Sequence, residues 1–96
     1  MRRERALTLL SEHRDEIHGF GVKSLAIFGS VARDEAGANS DVDLLVEFRE
    51  PVGFFRFLAL QRYLAQLLGS TVDLVPRDAV KRRIRDQVLS EAVDAA

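Results

Sequence analysis

FGSVARDEAGANSDVDLLVEF, residues 28–48, is the stretch whose reading decides the fold. Its second half is dense in apolar residues. Val42, Leu44, Val46 and Phe48 alternate with Asp41, Asp43, Leu45 and Glu47, which is the period of an extended chain. DVDLLVEF, residues 41–48, is therefore predicted as a strand that opens on two carboxylates. Its first half begins with the end of another apolar run, SLAIFG (24–29), which reads as a short buried strand closed by glycine. Ser30 to about Arg33 is predicted as a short helix, and EAGANS (35–40) as a loop by composition.

The remaining elements follow outward from these two strands. Residues 2–18 have helical spacing, with Leu7, Leu10, Arg14 and Ile17 near one face and Gly19 and Gly21 beyond its end. Pro51 and Gly53 break the chain after the second strand. FFRFLALQRYLAQLLG (54–69) is predicted as a helix burying Phe54, Phe57, Leu58, Leu64, Ala65 and Leu68, with Gly69 as its C-cap. TVDLV (71–75) is a third strand. Asp78 is placed as the cap of a last helix from about 79 to 93, along which Val80, Ile84, Val88 and Ala92 recur every fourth residue.

The order is thus α-β-(short α)-β-α-β-α. A full helix links the second strand to the third, so these two are expected to be parallel neighbours with a right-handed crossover. The first two are joined by a loop and suit antiparallel pairing. The expectation is an α/β (α+β) fold, with a small three-stranded mixed sheet flanked by helices.

Composition narrows the class. The 96 residues predict one domain, 1–96, with a modest core. Apolar residues make up 47% and charged residues 30%, as in ordinary globular chains. A formal net charge of −1 argues against stable nucleic-acid binding, which draws on a basic excess. No cysteine is available for a disulfide or a thiolate metal site. No apolar run reaches the length of a membrane span, and the start MRRERALTLLSEH is too polar for a secretory signal, so the cytoplasm is the expected compartment.

Asp41 and Asp43 are two residues apart on one strand, so both point to the same face, with Cα atoms roughly 6.5–7 Å apart. Two like charges at that range repel, and partial burial adds to the cost. A divalent cation removes the conflict, and oxygen-only ligands suit magnesium or manganese. Asp73 sits between Val72 and Leu74 in a strand expected to be buried, where an acid needs a partner or a metal. If strands two and three are neighbours, it reaches the same site. Gly29-Ser30, after a strand and before a short helix, offers backbone N–H groups and a hydroxyl, the makings of a phosphate-binding corner. A triphosphate held there lies across metals on the carboxylates, the arrangement used in two-metal phosphoryl chemistry. Taken singly, each feature has a plain reading: a tight turn, a solvated strand edge, a salt-bridge partner.

Taken together, Gly29-Ser30, then ten residues, then Asp41-Val42-Asp43, then Asp73, resemble the signature of the minimal nucleotidyltransferases (MNT) of the DNA polymerase β-like superfamily. The segment GSVAR…SDVDLLVEF and the ending RRIRDQVLSEAV carry the same resemblance, which spans nearly the whole chain. Asp34 is a departure, since many relatives have glycine after the arginine. The resemblance implies the nucleotidyltransferase fold and the transfer of AMP from ATP with magnesium, releasing pyrophosphate. By the same resemblance Asp41 and Asp43 hold two metal ions. Asp73 holds the catalytic one and helps deprotonate the acceptor, and Gly29 and Ser30 grip the β- and γ-phosphates. Arg33 adds charge near the triphosphate, or is simply a surface arginine.

Short members of this family resemble antitoxins paired with HEPN-type ribonuclease toxins, which implies a toxin tyrosine as acceptor and leaves a homo- or hetero-oligomer open as the working form. Two other readings stand beside it: an antitoxin that neutralises by binding alone, and a catalytic subunit acting on a small molecule such as an aminoglycoside. FFRF (54–57) carries more aromatic bulk than one helix face hides, so either both faces pack or Phe55 is exposed. Lys81, Arg82, Arg83 and Arg85 form a basic run that reads as a solvated face. His13 and His18 have no companion ligand and are read as surface or helix-end residues, and Tyr63 as core or half-exposed helix.

Overall fold

A computed structural model describes residues 1–35, 37, 41–80 and 82–96. The elements run α1 (Arg3–Glu12), α2 (Arg14–Gly19), β1 (Val22–Phe28), α3 (Gly29–Ala32), β2 (Val42–Phe48), α4 (Phe54–Leu68), β3 (Val72–Pro76), a 3₁₀ turn (Arg77–Ala79), α5 (Arg82–Glu91) and β4 (Val93–Asp94). The mixed sheet has the order β3-β2-β1-β4. β1 pairs antiparallel with β2 and with β4, and β2 pairs parallel with β3.

The directions of the three long strands match the expectation, for the reason given above: a helical crossover makes parallel neighbours, and a short link makes antiparallel ones. The strand count does not. The predicted final helix stops at Glu91, and Val93 and Asp94 pair with Ile27 and Ala26 as a fourth, edge strand. Ala95 N–H extends this ladder by donating to Leu25 O (2.8 Å). Asp78 caps no helix; it lies in the 3₁₀ turn, with no side-chain cap bond at that turn. Part of the predicted loop at 35–40 and Lys81 lie outside the described residues.

The predicted first helix is broken in two at His13. In an unbroken helix the His13 backbone N–H would donate to Leu9 O. Here the His13 ring nitrogen Nδ1 takes that carbonyl (2.8 Å), and the backbone N–H turns to Leu10 O (3.3 Å). His18 lies in the last turn of α2, and its backbone O accepts from Arg49 Nη2 (2.9 Å).

The core lies on the face of the sheet that carries Leu25, Ile27, Val42, Leu44 and Val46, all fully or nearly fully buried. Ala6, Leu10 and Ile17 from the N-terminal helices and Leu60, Leu64 and Leu68 from α4 join the same cluster. The α4 stripe is thus spaced by four and rotated from the predicted one: Leu60, not foreseen, is fully buried, while Phe54 is 70% exposed. Phe55 is 85% exposed, so the second of the two readings of FFRF is the observed one. Gly69 ends α4 at φ 64, the left-handed conformation that a C-cap glycine supplies. Tyr63 is half-buried on α4, its ring against Phe20 and its hydroxyl donating to Glu16, and burial together with that bond pushes its pKa up to about 12.

Candidate active site

Strand pairing assembles the site. Asp43, the second residue of β2, is the register partner of Asp73 on β3 and of Phe28, the last residue of β1. The chain leaves Phe28 directly into Gly29. Asp43 is therefore flanked by Asp73 on one side and by the turn into α3 on the other. Register partners in a sheet point to one face, and adjacent strands are about 4.8 Å apart. Asp41 precedes Val42 and shares the face of Asp43 by alternation. The β3 ladder continues to it, since Val42 N–H donates to Thr71 O (2.9 Å).

Val42, Leu44, Val72 and Leu74 point into the core, so the three acids face away from it. Asp43 is half-buried, and Asp41 and Asp73 are exposed. This corrects one expectation: β3 is buried at the residues flanking Asp73, but the Asp73 carboxylate itself meets solvent. The Asp43 carboxyl is pushed above the usual carboxylate range, first by burial and then by the charges of Asp73 and Asp41, and Arg33 pulls it back. The acids thus sense one another electrostatically, and no side-chain cation pairs with Asp43 among the described residues.

Gly29 fits this corner because it has no side chain. Its φ is +70, a conformation L side chains rarely adopt, and a Cβ there would lie 3.1 Å from Asp43 Cγ and overlap the carboxylate. Asp43 occupies the space that a side chain at position 29 would fill. Ser30 and Val31 follow in α3, and Arg33 folds back, its backbone N–H donating to Gly29 O (3.2 Å). The Arg33 guanidinium is gripped from two directions: Nε donates to Glu35 Oε2 (3.1 Å) and Nη1 to Glu91 Oε2 (3.0 Å). Sequence reasoning placed Arg33 here but missed Glu91, which comes from the end of α5. No short-range pattern links two residues 58 apart.

The predicted acids and the Gly29-Ser30 corner are therefore brought to one end of the sheet. Among the described residues, no three His, Cys, Asp or Glu are gathered closely enough to hold a metal ion. The donor chemistry nonetheless suits a hard cation. It consists of carboxylate oxygens, and the half-buried one among them is destabilised by the other two.

The nucleotidyltransferase domain family matches residues 8–95 of this chain. The chain is a nucleotidyltransferase. Over 87 residues, 90% of this chain and 88% of the relative, it is 42% identical to the protein adenylyltransferase MntA of Thermococcus cleftensis. A solved structure assigned as a minimal nucleotidyltransferase superposes with a TM-score of 0.83 at 36% identity, covering 97% of this chain and 95% of that one. A chain from the complex of tri-AMPylated Shewanella oneidensis HEPN toxin with MNT antitoxin shares the fold, with a TM-score of 0.66 at 19% identity, covering 94% of this chain and 71% of that one. Among the described residues, no helix of this nucleotidyltransferase is long and apolar enough to cross a membrane.

Proposed function

We propose that this nucleotidyltransferase moves AMP from ATP onto a hydroxyl of a partner protein, a tyrosine of a HEPN-type ribonuclease toxin, and so acts as the antitoxin. The observation that carries this reading is the register match of Asp43 with Asp73 beside the turn from Phe28 into Gly29. The kinship with a protein adenylyltransferase supports AMP as the group transferred and protein as the acceptor. ATP and magnesium are cytoplasmic commodities, which suits a cytoplasmic setting.

Gly29 and Ser30 hold the β- and γ-phosphates, with the backbone at Gly29 open to close approach, and Arg33 adds positive charge beside them. Asp41 and Asp43 would hold two magnesium ions, and Asp73 would share the catalytic one. When bound, magnesium neutralises the acids and the triphosphate and lowers the charge cost of attack at phosphorus. The acceptor oxygen forms a bond to the α-phosphorus as the bond from that phosphorus to the bridging oxygen breaks, and pyrophosphate leaves with the electron pair. Asp73, exposed at the edge of the site, takes the proton of the acceptor hydroxyl. Its access to solvent lets an acceptor carried by another protein reach it.

Intact-mass measurement of a HEPN-type partner, incubated with this protein, ATP and magnesium, tests the reading. A gain of one or more AMP units on the partner, absent with Asp43→Asn, is the expected result. A tight complex with no mass change, and neutralisation unaltered by Asp43→Asn, would instead mark a protein that acts by binding alone.

A further inference from the structure

Among the described residues, Arg33 is the cation whose charge acts on Asp43, and its guanidinium is held by two carboxylates. Glu35, two residues on, holds Nε, and Glu91 at the end of α5 holds Nη1. Both bonds raise the affinity of Arg33 for its proton. A guanidinium carries five N–H donors. Among the described residues two are used, leaving roughly three, those on Nη2 and the second on Nη1, for an anion. The side chains of Arg33 and Glu91 are 42% and 28% exposed, so the partially shielded Glu91 is the better anchor of the two glutamates, Glu35 being 65% exposed.

We infer that Glu91 is a positioning residue for the nucleotide: by fixing Nη1 it keeps the Arg33 guanidinium at the Gly29-Ser30 corner, with its remaining donors free for a phosphate oxygen. This rests on the reading of that corner as the triphosphate site. It gives α5 a role in nucleotide binding without any contact between Glu91 and the nucleotide. It also means that Arg33 does not have to be released by its glutamates before it binds, because a guanidinium serves carboxylate on one edge and phosphate on another.

Calorimetric titration with α,β-methylene-ATP and with AMP, both in magnesium, tests the inference on the full chain. Glu91→Gln is expected to weaken the triphosphate about threefold, the scale of one partly exposed ion pair. It should leave AMP unchanged, and Glu91→Asp should recover part of the loss. In an Arg33→Ala background Glu91→Gln should have no further effect. Equal or tighter triphosphate binding by Glu91→Gln would overturn the inference, as would a loss shared by AMP or one that persists without Arg33. No triphosphate uptake by the unmodified chain would overturn the nucleotide site itself, and this inference with it.

Discussion

Asp43 on β2 and Asp73 on β3 are register partners across a parallel strand pair, so two carboxylates face each other with only the width of a sheet step between them. Nothing in folding requires this, and the Asp43 carboxyl is pushed up, first by burial and then by the charge of Asp73. Asp43→Asn is expected to make the metal-free protein more stable at neutral pH, within about 1 kcal/mol because solvent screens much of the repulsion. Thermal or urea unfolding without metal measures it. The same variant should lose nucleotide transfer, the trade between stability and activity that strained sites show.

The pH dependence follows from the direction of that shift. The unfolded chain gives up this proton near pH 4, whereas the native carboxyl holds it to higher pH. Across that window the native state binds more protons, so its stability falls as pH rises and stays lower above the native pKa. Unfolding curves of the native protein and Asp43→Asn, measured from pH 3 to 7 (about one unit apart), should diverge with rising pH. Divergence in the opposite sense would contradict the shift.

Gly29→Ala should cost ~1–3 kcal/mol through its positive φ and the overlap with Asp43, and it should abolish transfer by displacing that carboxylate. Denaturant titration alongside an activity assay checks both.

Asp34 has φ 58, a left-handed conformation that favours glycine. Asp34 meets the demand as a short polar residue, and its Oδ1 accepts from Arg3 N–H (3.2 Å). Asp34→Gly is expected to stay within ~0.5 kcal/mol of the native protein, and Asp34→Ala to lose ~1 kcal/mol. Comparative thermal unfolding of the two variants decides.

Phe55→Ser removes an 85% exposed ring and should change stability by less than ~0.5 kcal/mol. A larger loss on unfolding would mean that both faces of α4 pack.

Strands were the legible part of this chain. Val42, Leu44 and Val46 alternate with residues of the opposite face, and helix α4 between β2 and β3 dictated their parallel pairing, which in turn brought Asp43 to Asp73. The breaks that were not foreseen arise from single side chains or from tertiary pairing. A ring nitrogen at His13 replaced one backbone donor, and no glycine or proline announced it. Val93 falls at the end of the predicted last helix, yet β1 recruits it and Asp94 as an edge strand. The buried stripe of α4 was obscured because apolar residues occupy most of its circumference, so periodicity alone fitted several rotations. Glu91 reached the site through packing of α5 near α3, information no local pattern holds.

The central claim is that Asp41, Asp43 and Asp73 act together in nucleotidyl transfer. Label transfer from α-labelled and γ-labelled ATP to the partner protein, in magnesium, tests it most directly. The α label should appear on the partner, the γ label should not, and Asp41→Asn, Asp43→Asn and Asp73→Asn should each remove the signal. Transfer of the γ label, or full activity in Asp73→Asn, would contradict the account.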